Sequence, residues 1–170
     1  MTKNKTEVAA PPLQVNGWSL FAHALFLDQL DALIAQVEQH RVKDPARYKQ
    51  KNATKRLAAI ATLAFDVIPQ DPTRAEYRQG TLGDGYAHWL RAKFFQQYRL
   101  FFRYHRDSRI IVYAWVNDED TRRAYESATD AYQVFRHMLK RGRPPNDWNA
   151  LLAKAKAAAT RFGKTARKAR

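Results

Sequence analysis

The chain has 170 residues, 45% hydrophobic and 27% charged, which is the usage of a folded domain rather than of a disordered one. It contains no cysteine, so disulfides, thiol catalysis and cysteine-held zinc are excluded. Its net charge of +14 points to a polyanionic partner, nucleic acid first among them.

Seven basic residues and no acidic one lie between Leu151 and Arg170, so half of the excess sits in a C-terminal tail. A solvated tail that only aids solubility is the plainer alternative. Lys3 and Lys5 are followed by no apolar run, and no stretch approaches the ~18 apolar residues of a membrane span. A cytoplasmic protein with no membrane segment is expected, with residues 1–12 disordered, a single domain over 13–150 and a basic Ala/Lys/Arg tail over 151–170.

Asn16 to His23, rich in Trp and Phe, reads as a short first strand. Leu25 to Val42 then carries Leu27, Leu30, Leu33, Ile34 and Val37 at the spacing of one buried helix face. Asp44-Pro45 breaks that helix and is placed to cap a second one, which runs to about Val67 and is stopped by Pro69 and Pro72. Thr73 to Tyr86, with Gly80, Gly83 and Gly85, is a loop.

The period then changes from 3.6 to 2. Trp89–Phe95, Tyr98–Tyr104 and Arg109–Trp115 read as three consecutive strands that turn at Gln96-Gln97 and Asp107-Ser108. Helices are expected over Asp118–Ser127 and Asp130–Arg141, and an Ala-rich one from near Asp147. Beyond it the tail has no stripe to bury and should fray. The class is α+β: an N-terminal helix pair packed on an antiparallel sheet, made of a three-strand meander plus the short first strand, with further C-terminal helices.

Period 2 also assigns faces. Arg99, Phe101, Arg103 and His105 share one side of their strand, and Trp89, Arg91, Lys93 and Phe95 one side of the strand before it. The pairing that leaves Leu100 and Phe102 under the helices brings Arg91, Lys93, Arg99 and Arg103 together. Such a face can grip phosphates, with Trp89, Phe95 and Phe101 as stacking surfaces for bases. An ordinary solvated face of long charged side chains is the alternative.

No GxSxG, HExxH, P-loop or dinucleotide fingerprint occurs. Asp118-Glu119-Asp120 could hold a divalent ion, but acids at a helix start more simply complement the macrodipole. RNA supplies its own nucleophile, the 2′-hydroxyl, so a base, an acid and cations on the transition state can suffice. Crowded positive charge favours the neutral form of a lysine, which makes Lys93 a candidate base. His105 is the histidine best placed for proton transfer; His23, His40, His88 and His137 suit packing or solvent roles.

Several segments then carry a resemblance. Val15-Asn-Gly-Trp18, Ala53-Thr-Lys55, Tyr98-Arg-Leu-Phe-Phe-Arg-Tyr104, Trp115-Val-Asn-Asp-Glu-Asp-Thr121, Thr129-Asp-Ala-Tyr132 and Met138-Leu-Lys-Arg-Gly-Arg-Pro-Pro-Asn-Asp-Trp148 occur in the order they take in YhaV toxins. The chain resembles that family from about Leu13 to Trp148. The resemblance implies a RelE-like fold and an endoribonuclease that uses no metal or other cofactor, acting on translated mRNA at the ribosome. It also implies a type II toxin–antitoxin operon. There a PrlF-like antitoxin with an AbrB-type DNA-binding domain neutralises the toxin, and the complex binds operator DNA and represses its own promoter.

By matching position Arg99 looks like the sheet arginine of RelE-like toxins, with Lys93 and Arg103 near it, and these three are the catalytic candidates. Asn117, Thr121, Arg122 and Tyr125 lie in a shared motif and could position RNA, local capping being the alternative for Asn117 and Thr121. Arg91, Trp89, Phe101, Asn117, Arg122 and Tyr125 are the RNA-binding candidates. His105 matches no residue of the family. Two other readings stay open: a non-catalytic RNA- or ribosome-binding module using the same basic face, and a DNA-bound co-repressor acting with its antitoxin.

Overall fold

The structure, a computed structural model, describes residues 12–124 and 127–170. A mixed five-stranded sheet runs through it in the order β1-β2-β5-β4-β3. The strands are β1 (Leu13–Val15), β2 (Trp18–Ala22), β3 (Leu90–Phe94), β4 (Tyr98–His105) and β5 (Ile110–Val116). The expected meander is present as β3, β4 and β5, each antiparallel to the next.

Two expectations about the sheet are corrected. It is not purely antiparallel, because β2 runs parallel to the central β5. The N-terminal strand is a hairpin rather than a single strand, since β1 folds back on β2 through Asn16 and Gly17, with φ of 51° and 80°. Positive φ at both turn residues is the requirement of a type I′ hairpin turn, which Asn-Gly meets better than most pairs.

One sheet face is covered by α1 (Ala24–Lys43), α2 (Asn52–Thr62) and the C-terminal α5 (Ala159–Ala169). The opposite face is covered by α3 (Ala131–Lys140) and α4 (Trp148–Ala157). Ile111 and Tyr113 of β5 face the first core, whereas Val112, Ala114 and Trp115 face the second. Burial on both faces is why this strand reads as an unbroken apolar run rather than an alternating one.

Asp44 does not cap the second helix. It ends α1, a turn and a short 3₁₀ segment (Tyr48–Gln50) follow, and α2 starts after Lys51. α2 then continues through a π-helical turn (Leu63–Val67) and a last α-helical turn (Ile68–Gln70). The Tyr113 hydroxyl donates to the Ala64 carbonyl within that π turn, where the widened backbone ladder leaves carbonyls open. The helix expected over Asp118–Ser127 is also corrected: among the described residues of that stretch, only Glu119–Thr121 is helical, as a single 3₁₀ turn.

The fraying expected of the C-terminus is also overturned. Phe162, Thr165 and Ala166 of α5 are buried, Phe162 stacking on Phe65 with ring centroids 6.0 Å apart. Arg161 bridges Asp28 and Asp31 of α1 at 2.8 and 2.9 Å, and the Thr165 hydroxyl donates to Asp31. Among the described residues no helix is long and apolar enough to cross a membrane.

Candidate active site

The register Lys93↔Arg99 and Arg91↔Phe101 puts Arg91, Lys93 and Arg99 on one face of β3 and β4, as the strand pattern anticipates. What lies over that face was not anticipated. Phe101 is fully buried, stacked on Phe135 of α3 at 4.3 Å, and Trp89 meets Phe135 edge-on at 5.1 Å. Reading Trp89 and Phe101 as stacking surfaces for bases is therefore corrected: α3 occupies the place a base would take.

α3 splits the basic face into two groups. Arg103 stands four residues along β4 from Arg99, roughly 13 Å at the strand rise, with the buried Phe101 between them. Its guanidinium lies between the indoles of Trp89 and Trp148, 5.4 Å from each centroid, and donates to the Asn146 carbonyl at 2.6 Å. Desolvation holds its pKa down to about 10, offset in part by Asp147. Of the candidate catalytic residues, Lys93 and Arg99 are thus brought opposite each other, whereas Arg103 packs between two indoles at the far end of the face.

The first group gathers at the N-terminal turn of α3. The Tyr132 hydroxyl accepts N–H bonds from Arg91 Nε at 3.0 Å and from Arg99 Nε at 3.2 Å. Arg123 lies over the same ring, 4.6 Å from its centroid, and pairs with Asp130 at 2.7 Å. Arg91 also donates to the Glu76 carbonyl, and Arg99 to the carbonyls of Gln96 and Tyr98. These acceptors are neutral, so they orient both guanidinium groups without cancelling their charge. Lys93, directly across from Arg99, is exposed.

Asp130 builds this arrangement. Only 1% exposed, it caps α3 by accepting the Tyr132 N–H, and it also accepts from the Ala124 N–H while pairing with Arg123. Asn117, also 1% exposed, accepts the Arg99 N–H at 2.7 Å and donates to the carbonyls of Gln97 and Thr121. Its candidacy as an RNA contact is corrected, because a buried amide with both ends bonded fastens backbone and cannot meet a strand of RNA. Thr121 completes a capping box with Asp118, the local role weighed for it.

The acidic run serves the fold in the same way. Asp118 accepts from the Asp120 N–H and the Thr121 hydroxyl, and Glu119 pairs with Arg56. Among the described residues no group of three or more His, Asp and Glu is placed to hold a metal ion. Arg122 is exposed, and Tyr125 lies outside the described residues. His105 stacks on Trp148 beside Arg103, away from the Tyr132 group.

Tyr132, Arg123 and Asp130 are the members sequence reasoning missed. The signal was present: Tyr132 belongs to the Thr129-Asp-Ala-Tyr132 segment, where an Asp two residues before the first apolar helix position marks an N-cap.

A family model described as a toxin with endonuclease activity, of a toxin–antitoxin system, matches residues 20–156. Toxin YhaV of Escherichia coli O6:H1 is 47% identical over 143 residues, covering 82% of this chain and 93% of the relative. The ribonuclease toxin YhaV of Escherichia coli strain K12 shows the same identity over the same spans. No solved structure gives a significant match. Both the matched model and the identity over most of either chain place this protein in the YhaV family of toxins, endonucleases of toxin–antitoxin systems.

Proposed function

We propose that the chain is an endoribonuclease that cuts mRNA at the Arg91–Arg99–Arg123–Tyr132 group, using the RNA's own 2′-hydroxyl as nucleophile and no metal. The observation that carries this reading is the pair of guanidinium groups from neighbouring strands fixed on one hydroxyl, with neutral partners, beside an exposed lysine. The name of the K12 relative supports RNA as the substrate.

In this scheme the 2′-oxygen attacks phosphorus, its proton passing to a base, and the bond from phosphorus to the 5′-oxygen breaks as that oxygen takes a proton. The products are a 2′,3′-cyclic phosphate and a 5′-hydroxyl. Lys93 is the exposed titratable group nearest Arg99 in register and is assigned the proton transfer. Arg91, Arg99 and Arg123 stabilise charge as it builds on the equatorial oxygens, already oriented before substrate arrives. The exposed Arg122 guides the strand from the rim, and Tyr125, outside the described residues, is proposed as a further RNA contact.

The work is carried out in the cytoplasm on translated mRNA at the ribosome. A PrlF-like antitoxin with an AbrB-type domain neutralises the toxin, and the pair represses its own operator. Growth assays test the core of this. Arg99→Ala should abolish growth inhibition, with a loss of cutting on the order of 10²–10³, while melting as a folded protein. Full toxicity from a folded Arg99→Ala protein overturns the assignment.

A further inference from the structure

Next to the arginine group lies a cavity of about 310 Å³, lined by Asn52, Lys55, Arg56, Phe95, Tyr98 and Arg122 among others. Three of these are cations and none is an acid. Its volume is at the lower end of small-ligand clefts, about 300–1,000 Å³, which suits one nucleotide rather than a longer segment.

Two features of the cavity bear on what it could hold. Phe95 is 53% exposed at the tip of the β3–β4 turn, where it and Gln96 take the positive φ of a tight hairpin turn. Its ring touches Phe94 edge-on at 5.7 Å and otherwise presents a free aromatic surface. The second feature is Arg56, which is 7% exposed. It is backed by Glu119 at 3.3 Å and laid over the Tyr98 ring at 5.0 Å, yet its Nε has no hydrogen-bond partner among the described residues. Burying a cation at the wall of a basic cavity favours an anion inside it. The start of α2, which supplies Asn52, Lys55 and, one residue beyond the first turn, Arg56, has no side-chain cap and adds partial positive charge.

The turn that bears Phe95 also holds the arginine group. The Gln96 carbonyl accepts from Arg99, and the Gln97 carbonyl accepts from the Arg123 N–H and from Asn117. Arg99 itself is only 6% exposed, so a strand acted on at this group would pass over the exposed Lys93 and Arg122 around it, and Arg122 lines the cavity. Resting on the cleavage reading above, we propose that this cavity binds one nucleotide flanking the cut. Lys55, Arg122 and the α2 turn receive its phosphate, and its base stacks on Phe95.

The test uses the full chain and a short single-stranded RNA, 2′-O-methylated throughout so that it cannot be cut, read by fluorescence anisotropy. A stacked base is worth about 1–3 kcal/mol, so Phe95→Ala should weaken binding about 5- to 150-fold while Phe95→Trp retains it. Lys55→Gln and Arg122→Gln should each flatten the dependence of log affinity on log salt by about 0.7.

Wild-type affinity and salt slope in folded Phe95→Ala and Lys55→Gln proteins would overturn the proposal. So would variants that lose affinity only for an acidic protein partner while holding RNA normally. Loss of affinity supports the proposal whether or not cleavable RNA is cut. A failed cleavage reading shows separately, as wild-type protein that binds RNA without cutting it.

Discussion

Tyr132→Phe removes one oxygen and no packing volume, so it isolates the contact on which the arginine geometry depends. The phenol is 3% exposed, and its ring would stay edge-on against Phe101 at 5.5 Å. What is lost is the shared acceptor: Arg91 Nε and Arg99 Nε, 3.0 and 3.2 Å from the hydroxyl, are left facing carbon. Orphaning buried donors costs about 1–3 kcal/mol. For a chain of this length each kcal/mol moves Tm by roughly 2–4 °C, so melting should fall by a few degrees to about 10 °C and the protein should remain folded at 25 °C. Cutting should suffer more. Displacing a transition-state cation by about 1 Å costs on the order of 10²-fold, and here two are released together. Single-turnover cleavage at saturating RNA, set beside anisotropy binding, reads the difference. A rate loss of about 10² or more with affinity changed only several-fold supports Tyr132 as the residue that positions both arginines. An unchanged single-turnover rate in the folded variant refutes that reasoning.

Phe162→Ala should destabilise the fold by about 3–5 kcal/mol, because Phe162 is buried against Phe65 and anchors α5; urea unfolding checks this, and a midpoint equal to wild type would show that α5 adds nothing. The Asp31→Asn change, which loosens Arg161 and Thr165 at an exposed edge, should cost no more than about 1 kcal/mol by the same measurement. Acid should weaken the protein through His23, whose pKa is lowered from 6.5 by burial first and then by Lys154 and Arg143, against a raising effect of Asp28. Above pH 6.5 folded and unfolded chains both hold it neutral; below that the unfolded chain takes up a proton the fold refuses, so stability falls with pH by up to about 1.4 kcal/mol per unit. In the fold His23 Nδ1 accepts the Leu25 N–H and caps α1, so His23→Asn should keep a cap and flatten the slope between pH 6.5 and 5, leaving the same-signed part due to His88.

How much of this was legible in the sequence depends on which signal is followed. Strand alternation placed the meander and grouped Lys93 with Arg99 on one face, because period 2 assigns faces without knowing the partner; the register that sets them opposite each other came only with the fold. Alternation cannot say which of two apolar faces meets solvent, so Trp89 and Phe101 passed for binding surfaces until α3 was seen over them. The unbroken Ile-Ile-Val-Tyr-Ala-Trp-Val run of β5 carried the warning, since a strand open to solvent on one face would alternate. Asn16-Gly17 marked the β1–β2 hairpin just as plainly. α5 was harder. Phe162, Thr165 and Ala166 form too narrow a stripe to stand out among so many Lys and Arg, and its ion triad joins residues about 130 positions apart. The site itself is long-range as well: Tyr132 meets Arg91 and Arg99 only through the fold.

The central claim is that arginines and a lysine act on RNA's own 2′-hydroxyl. It is tested most directly by wild-type protein on two otherwise identical RNAs, one carrying a single 2′-deoxy sugar at the cleaved nucleotide, each with and without chelator. The unmodified RNA should be cut equally well in both conditions, leaving a 2′,3′-cyclic or 3′-phosphate upstream and a 5′-hydroxyl downstream. The deoxy RNA should not be cut at that position. Cutting of the deoxy strand that stops with chelator and leaves a 5′-phosphate would contradict the account, since it requires a metal-activated water as nucleophile.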